Sequence, residues 1–228
     1  MKYVNLGCAL VLGLALHAPS PAQAQPSSAS LSAPALADAQ ARRLIQDWLA
    51  TQSVSAGQAA GLVKVLSLDG EGSLRSLRVG RAVPVAFVDP ALLLAGSDIA
   101  QATRGAPTLR YVLWDGQTPV GLATLDPDAR GRYQVVGVGA SGLANEIEAV
   151  ALQRRGQGSL RLVRSRQGVA DFLEMSDGSQ VPRYVPLAAA RANLALDAAE
   201  TAATAQGLSA AQATPALRAA VAAAVKRP

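Results

Sequence analysis

Residues 133–148 read YQVVGVGASGLANEIE, with Gly137, Gly139 and Gly142 in the order G-x-G-x-x-G between an apolar run and a helical segment. The fold class turns on this stretch. A dinucleotide fingerprint needs a strand, the glycines and a helix N-terminus facing a pyrophosphate, then a second parallel strand ending in an acid about 20 residues on. Here Glu146 stands in the first turns of the helix, where its charge would repel a phosphate. The next apolar run, 159–165, is followed by Arg166, with Arg164 before it, and no acid stands there. Beyond it lie two short runs and an alanine-rich tail, too little for the further parallel strands of a doubly wound sheet. The stretch therefore reads as strand, turn and packing helix. The glycines thin the strand so that helix 143–155 can lie close, with Leu143, Ile147, Val150 and Ala151 as its buried stripe.

The neighbouring segments agree with that reading. TLRYVLW (108–114) and PVGLATL (119–125) flank Asp115-Gly116, a hairpin signal with a loop slightly longer than minimal. Pro119 suits the first residue of its strand. DPDARG (126–131) is a further turn, which returns 133–139 as a third antiparallel run. Upstream, VKVLSL (63–68) and LRSLRV (74–79) around DGEG predict another hairpin, and PVAFV (84–88) another strand. Asp89 and Pro90 predict an N-cap and first helical position for a short helix through Leu94, with 96–108 as loop. Downstream, 159–165, 169–175 and 181–185 predict strands, with Ser176-Asp177-Gly178 as a turn. Short turns force antiparallel neighbours, so the class is α+β, built on a mainly antiparallel sheet with one central packing helix.

The ends differ from this middle. Ala37, Ala41, Leu44, Ile45, Trp48 and Leu49 recur at helical spacing and predict an amphipathic helix over 36–51. Ser55 with Gln58 suggests a capped second turn before Gly61. From Leu187 the composition turns alanine-rich, and Thr214-Pro215 opens a last helix with a thin stripe of Leu217, Val221 and Val225. Small side chains bury little area, so this 187–228 tail is expected to be loosely packed helix or partly disordered. At the other end, Lys2, the apolar core Leu6–Leu16 and Ala22-Gln23-Ala24 form a secretory signal peptide over 1–24, cut between Ala24 and Gln25. The core is well short of the about 17–25 apolar residues of a membrane span. Residues 25–35 form a flexible leader, and 36–186 the α+β domain. A periplasmic or secreted location follows, with no transmembrane span in the mature chain.

Export also narrows the chemistry. The chain's one cysteine, Cys8, and one histidine, His17, both lie within the signal. The mature protein then lacks thiol and imidazole alike. That excludes disulfides, His/Cys zinc sites, and nucleophile systems that need a histidine base or a cysteine. No metal or cofactor is expected. The formal charge of +5, one less without Lys2, is a mild excess carried by arginine.

Candidate sites are few. RRGQGSLRLVRSR (154–166) holds Arg154, Arg155, Arg161, Arg164 and Arg166 and no acid, which marks an anion-binding segment. Strand alternation sets Arg161 against Arg164 and Arg166. The run contains no aromatic residue for base stacking, so nucleic acid is disfavoured. Trp114, near the hairpin turn on a face with Val112 and Arg110, is a candidate partner-binding residue. Glu146 and Glu148 diverge on their helix, and Asp171 and Glu174 fall on opposite strand faces, so neither pair forms an acid/base couple. Asp126, Asp128 and Gly131 fail the calcium-loop pattern, because Arg130 and Gly137 occupy ligand positions. Lys64 is assigned to a solvated strand face. No catalytic residue emerges. The expectation is an exported, non-enzymatic binding protein of the cell envelope, with an envelope protein or small ligand as partner. The alternatives are a carboxylate-based enzyme acting on envelope glycan, whose two acids must converge from distant positions, and polyanion binding through the arginine run.

Overall fold

The computed structural model describes residues 36–154, 158–176, 181–196 and 206–226. The expected signal peptide, leader, Asp177-Gly178 turn and Arg155 lie outside them. Seven strands form one sheet in the order β4-β3-β2-β1-β5-β6-β7: β1 Arg78–Val88, β2 Thr103–Asp115, β3 Thr118–Pro127, β4 Tyr133–Gly139, β5 Ser159–Ser165, β6 Ala170–Ser176 and β7 Arg183–Pro186. Among the described residues only β1 and β5 run parallel; every other neighbouring pair is antiparallel. The class is α+β.

The parallel pair has a simple cause. Helix α6, Ser141–Gln153, carries the chain from the edge strand β4 back across the sheet to β5, beside β1. Its Ala144 and Ile147 are buried against Val83, Val85, Val112, Leu122, Leu162 and Leu173. The Gly137–Gly142 stretch is thus a strand end and helix start whose strand has one neighbour, the antiparallel β3. Close approach is needed elsewhere than expected. A Cβ on Gly139 would meet Val65 at 3.2 Å, and one on Gly121 would meet Leu66 at 2.5 Å. The glycines make room for the helix on the opposite face.

That helix corrects the largest sequence error. VKVLSL is not a strand and heads no hairpin: α2 spans Ala56–Leu66, running through Gly61, with Lys64 in its last turn. Ser55 sits at its N-cap without a side-chain hydrogen bond. With α1, Asp38–Gln52, and the short α3, Ser73–Ser76, it covers β2 and β3 on the second face. Ala41, Ile45, Leu49, Ala59, Leu66 and Leu74 meet Tyr111, Leu113, Ala123 and Leu125 there. Residues 78–79 and 84–88 belong to the single strand β1, which bulges between Val79 and Ala82 and again between Pro84 and Ala86. Proline is tolerated at that irregularity. The 96–108 loop also gives way to structure. Asp98 and Gln101 form a capping box for α5, Ile99–Ala102, and β2 begins at once at Thr103.

Helix α4, Pro90–Leu94, starts as the sequence indicates, with Asp89 accepting from the Ala91 and Leu92 amides. The hairpin loop is shorter than expected: Asp115 pairs with Thr118, leaving only Gly116 and Gln117 between them. After α7, Ala188–Asn193, the last helix α8 runs from Ala210 to Val225. It begins four residues before Thr214, capped by Ser209 and Gln212. Ala213, Leu217 and Val221 are buried against Leu93, Ile99, Phe172 and Tyr184, while Val225 is exposed.

Candidate functional site

On the α6 face, residues from β1, β2, β3, β5, β6 and α7 enclose a cleft of about 460 Å³. That is within the usual size range of small-molecule pockets, about 300–1,000 Å³. Strand alternation explains its polar floor. Val112 on β2 and Leu162 on β5 face α6 in the apolar cluster, so Arg110 and Arg164, two residues along in each strand, continue the same face into the cleft. Thr124 lies directly across from Arg110, and Asp126 follows two residues on. Phe87 pairs with Arg164 across β1 and β5, and Arg164 with Asp171 across β5 and β6.

The charges in the cleft are not equivalent. Arg164 donates from Nε and Nη2 to the two carboxylate oxygens of Asp171, at 2.8 and 3.1 Å, a fork-to-fork pair. Arg166 is exposed and stacks over the Phe87 ring, 4.5 Å from its centroid. Arg110 is different. Its Nε is buried without a hydrogen-bond partner, and the side chain makes no ion pair among the described residues. Burial first, and then repulsion by Arg164, hold its proton affinity below the ordinary arginine value, while Asp171 and Asp126 pull the other way. An unsatisfied buried donor costs about 1–3 kcal/mol, more when charged.

The structure divides the arginine run. Arg164 and Arg166 line the cleft; Arg161 points to the opposite face, where its Nη2 donates to Glu174 at 2.6 Å. Glu174 is buried there, near the Tyr184 hydroxyl, which has no hydrogen-bond partner among the described residues. Arg154 follows α6 as its C-cap. Trp114 is four residues beyond Arg110 on β2, half-buried, with Arg78 over its ring at 5.0 Å and its indole against Gly80. Glu146 and Glu148 diverge: Glu148 is buried and accepts from Arg81 at 3.0 Å, and Glu146 accepts from the Ala188 amide at 2.7 Å. Asp128 accepts from the Arg130 and Arg132 amides and the Arg132 side chain, which lowers its pKa. It closes a turn.

Sequence reading placed Arg110 on a strand face and went no further. The available signal was a lone cation alternating with apolar residues in TLRYVLW. Among the described residues, no three His, Cys, Asp or Glu side chains gather to hold a metal, and no helix is long and apolar enough to cross a membrane. The chain matches no protein-family model, no curated protein and no solved structure.

Proposed function

We propose that this chain is an exported, non-enzymatic binding protein of the cell envelope, and that the cleft around Arg110 takes a small ligand by its anionic group. One observation carries the binding part: a guanidinium with a buried, unbonded Nε opening on a cleft of about 460 Å³. A guanidinium fork matches a carboxylate or phosphate, and Arg166 adds positive charge beside it, while the charge of Arg164 is held by Asp171. The export part is supported by the N-terminal sequence, Lys2 to Ala24.

The alternatives have less support. Enzyme chemistry on glycan needs two acids free to exchange protons. Of the two aspartates lining the cleft, Asp171 gives both oxygens to Arg164. A polyanion stripe needs the arginines on one surface, and Arg161 lies across the sheet from Arg164. Isothermal titration of the mature chain with inorganic phosphate and with simple carboxylates tests the proposal. Saturable binding that disappears in Arg110→Gln supports it; binding that survives the substitution places the anion elsewhere.

A further inference from the structure

The cleft contains a second charge without a protein partner among the described residues, of opposite sign. Asp126 lines it half-buried, and its carboxylate makes no hydrogen bond or ion pair among the described residues. Its field favours the charged form of Arg110, so the two groups sense each other without touching. Register explains the gap. Arg164 and Asp171 are direct cross-strand partners and close into a pair. Arg110 is directly opposite Thr124, so Asp126 is its diagonal neighbour, about 7–8 Å away at the backbone. One ion pair in the cleft is closed, and the other is held open.

A ligand carrying only negative charge would satisfy Arg110 and be repelled by Asp126. One carrying only positive charge would face Arg110 and Arg166. A molecule bearing an ammonium and a carboxylate on one carbon satisfies both groups at once. Phe87, stacked under Arg166, and Val169 offer it an apolar wall. Building on the binding reading above, we propose that the cleft selects a small zwitterion of the α-amino-acid class, its carboxylate on Arg110, its ammonium on Asp126 and its side chain against Phe87 and Val169.

The test is calorimetric titration of the mature chain with the common free amino acids, then with the N-acetyl and carboxamide forms of those that bind best, and with inorganic phosphate. Acetylation removes the ammonium charge and amidation the carboxylate. Free amino acids are expected to bind, with each blocked form weaker by at least about tenfold, the worth of one charged hydrogen bond. Asp126→Asn should weaken binding of the free amino acid, strengthen that of its N-acetyl form by removing the repulsion, and so close the gap between the two. Equal affinity for free and N-acetylated forms overturns the zwitterion assignment and spares the anion site, as does binding of phosphate or N-acetyl forms alone. If no probe binds, the zwitterion and the anion site fall together. The blocked ligands probe the unaltered protein, so a poorly folding Asp126→Asn variant does not decide the outcome.

Discussion

Arg218 on the last helix reaches the Leu93 carbonyl from Nε at 2.9 Å, and its Nη2 bonds the carbonyls of Gly96 and Ser97 at 3.1 and 3.0 Å. These oxygens end helix α4 and lead into α5, so one side chain fastens the alanine-rich helix to the middle of the chain. Thr214 does the same at α5, where its hydroxyl accepts from the Ile99 amide at 2.9 Å. Small side chains give α8 little area to bury, and directed polar contacts supply part of the docking energy.

Arg218→Met keeps the length of the side chain and removes its donors. We expect a loss of about 1–3 kcal/mol, read as a lower urea midpoint with an unchanged slope. Deleting residues 206–228 uncovers Leu93, Phe172 and Tyr184, and should abolish cooperative unfolding altogether.

A second prediction concerns the contact between α2 and the sheet. Gly121→Ala puts a methyl 2.5 Å from the Leu66 side chain and 3.1 Å from the Gly139 carbonyl oxygen. Overpacking of this kind costs about 1–3 kcal/mol. Leu66→Ala alone opens a cavity and costs about 2–5 kcal/mol. Combined, they should cost less than the sum, because the alanine at 66 vacates space that the new methyl uses. A double-mutant cycle in urea reads the coupling, and additivity would show that the methyl clashes with the Gly139 backbone instead.

That contact also shows why part of the fold was legible and part was not. Asp115-Gly116 and Asp89-Pro90 declare themselves locally, through a turn and a cap whose chemistry lies in adjacent residues. VKVLSL has no such local signal. Its β-branched Val63 and Val65 favour a strand, and Gly57 and Gly61 weaken a helix, yet docking of Leu66 on Gly121 overrides the propensity. The cleft follows the same division. The β2–β3 hairpin register sets Arg110 against Thr124, but Arg164 arrives only through the parallel β1–β5 pairing, which α6 makes after crossing the sheet. Short runs carry no signal of that neighbour.

Alkaline pH gives a third prediction. Tyr111 is fully buried near Asp38, and burial first, with that carboxylate second, pushes its pKa up to about 12 from an unfolded value of about 10. The folded state therefore favours the neutral phenol. Its contribution is fully present below about pH 10 and disappears as the pH rises through about 12. Tyr184 is shifted in the same direction by burial and by Glu174. We expect the tyrosinate absorbance of these residues to emerge together with unfolding above pH 10, and Tyr111→Phe to flatten the fall in stability between pH 10 and 12. Ionisation of Tyr111 near pH 10 with the fold intact would contradict its burial.

The last prediction separates Arg161 from Arg164. Arg164→Gln removes one positive charge from the cleft and frees both oxygens of Asp171, which Arg164 now occupies at 2.8 and 3.1 Å. The freed, uncompensated carboxylate repels a bound anion, so affinity should fall by at least about tenfold, the worth of a charged hydrogen bond. Arg161→Gln acts on the other face. It strands Glu174, only 8% exposed, without its 2.6 Å partner. Breaking a fully buried pair costs about 3–5 kcal/mol, and the 37% exposure of the Arg161 side chain reduces this to about 1–3 kcal/mol. Ligand affinity should not change. Titration and urea unfolding of both variants distinguish the two roles: loss of binding with Arg164→Gln, loss of stability with Arg161→Gln. Equal loss of binding in both would instead mean that the arginines act as one polyanion-binding surface, which their positions on opposite faces oppose.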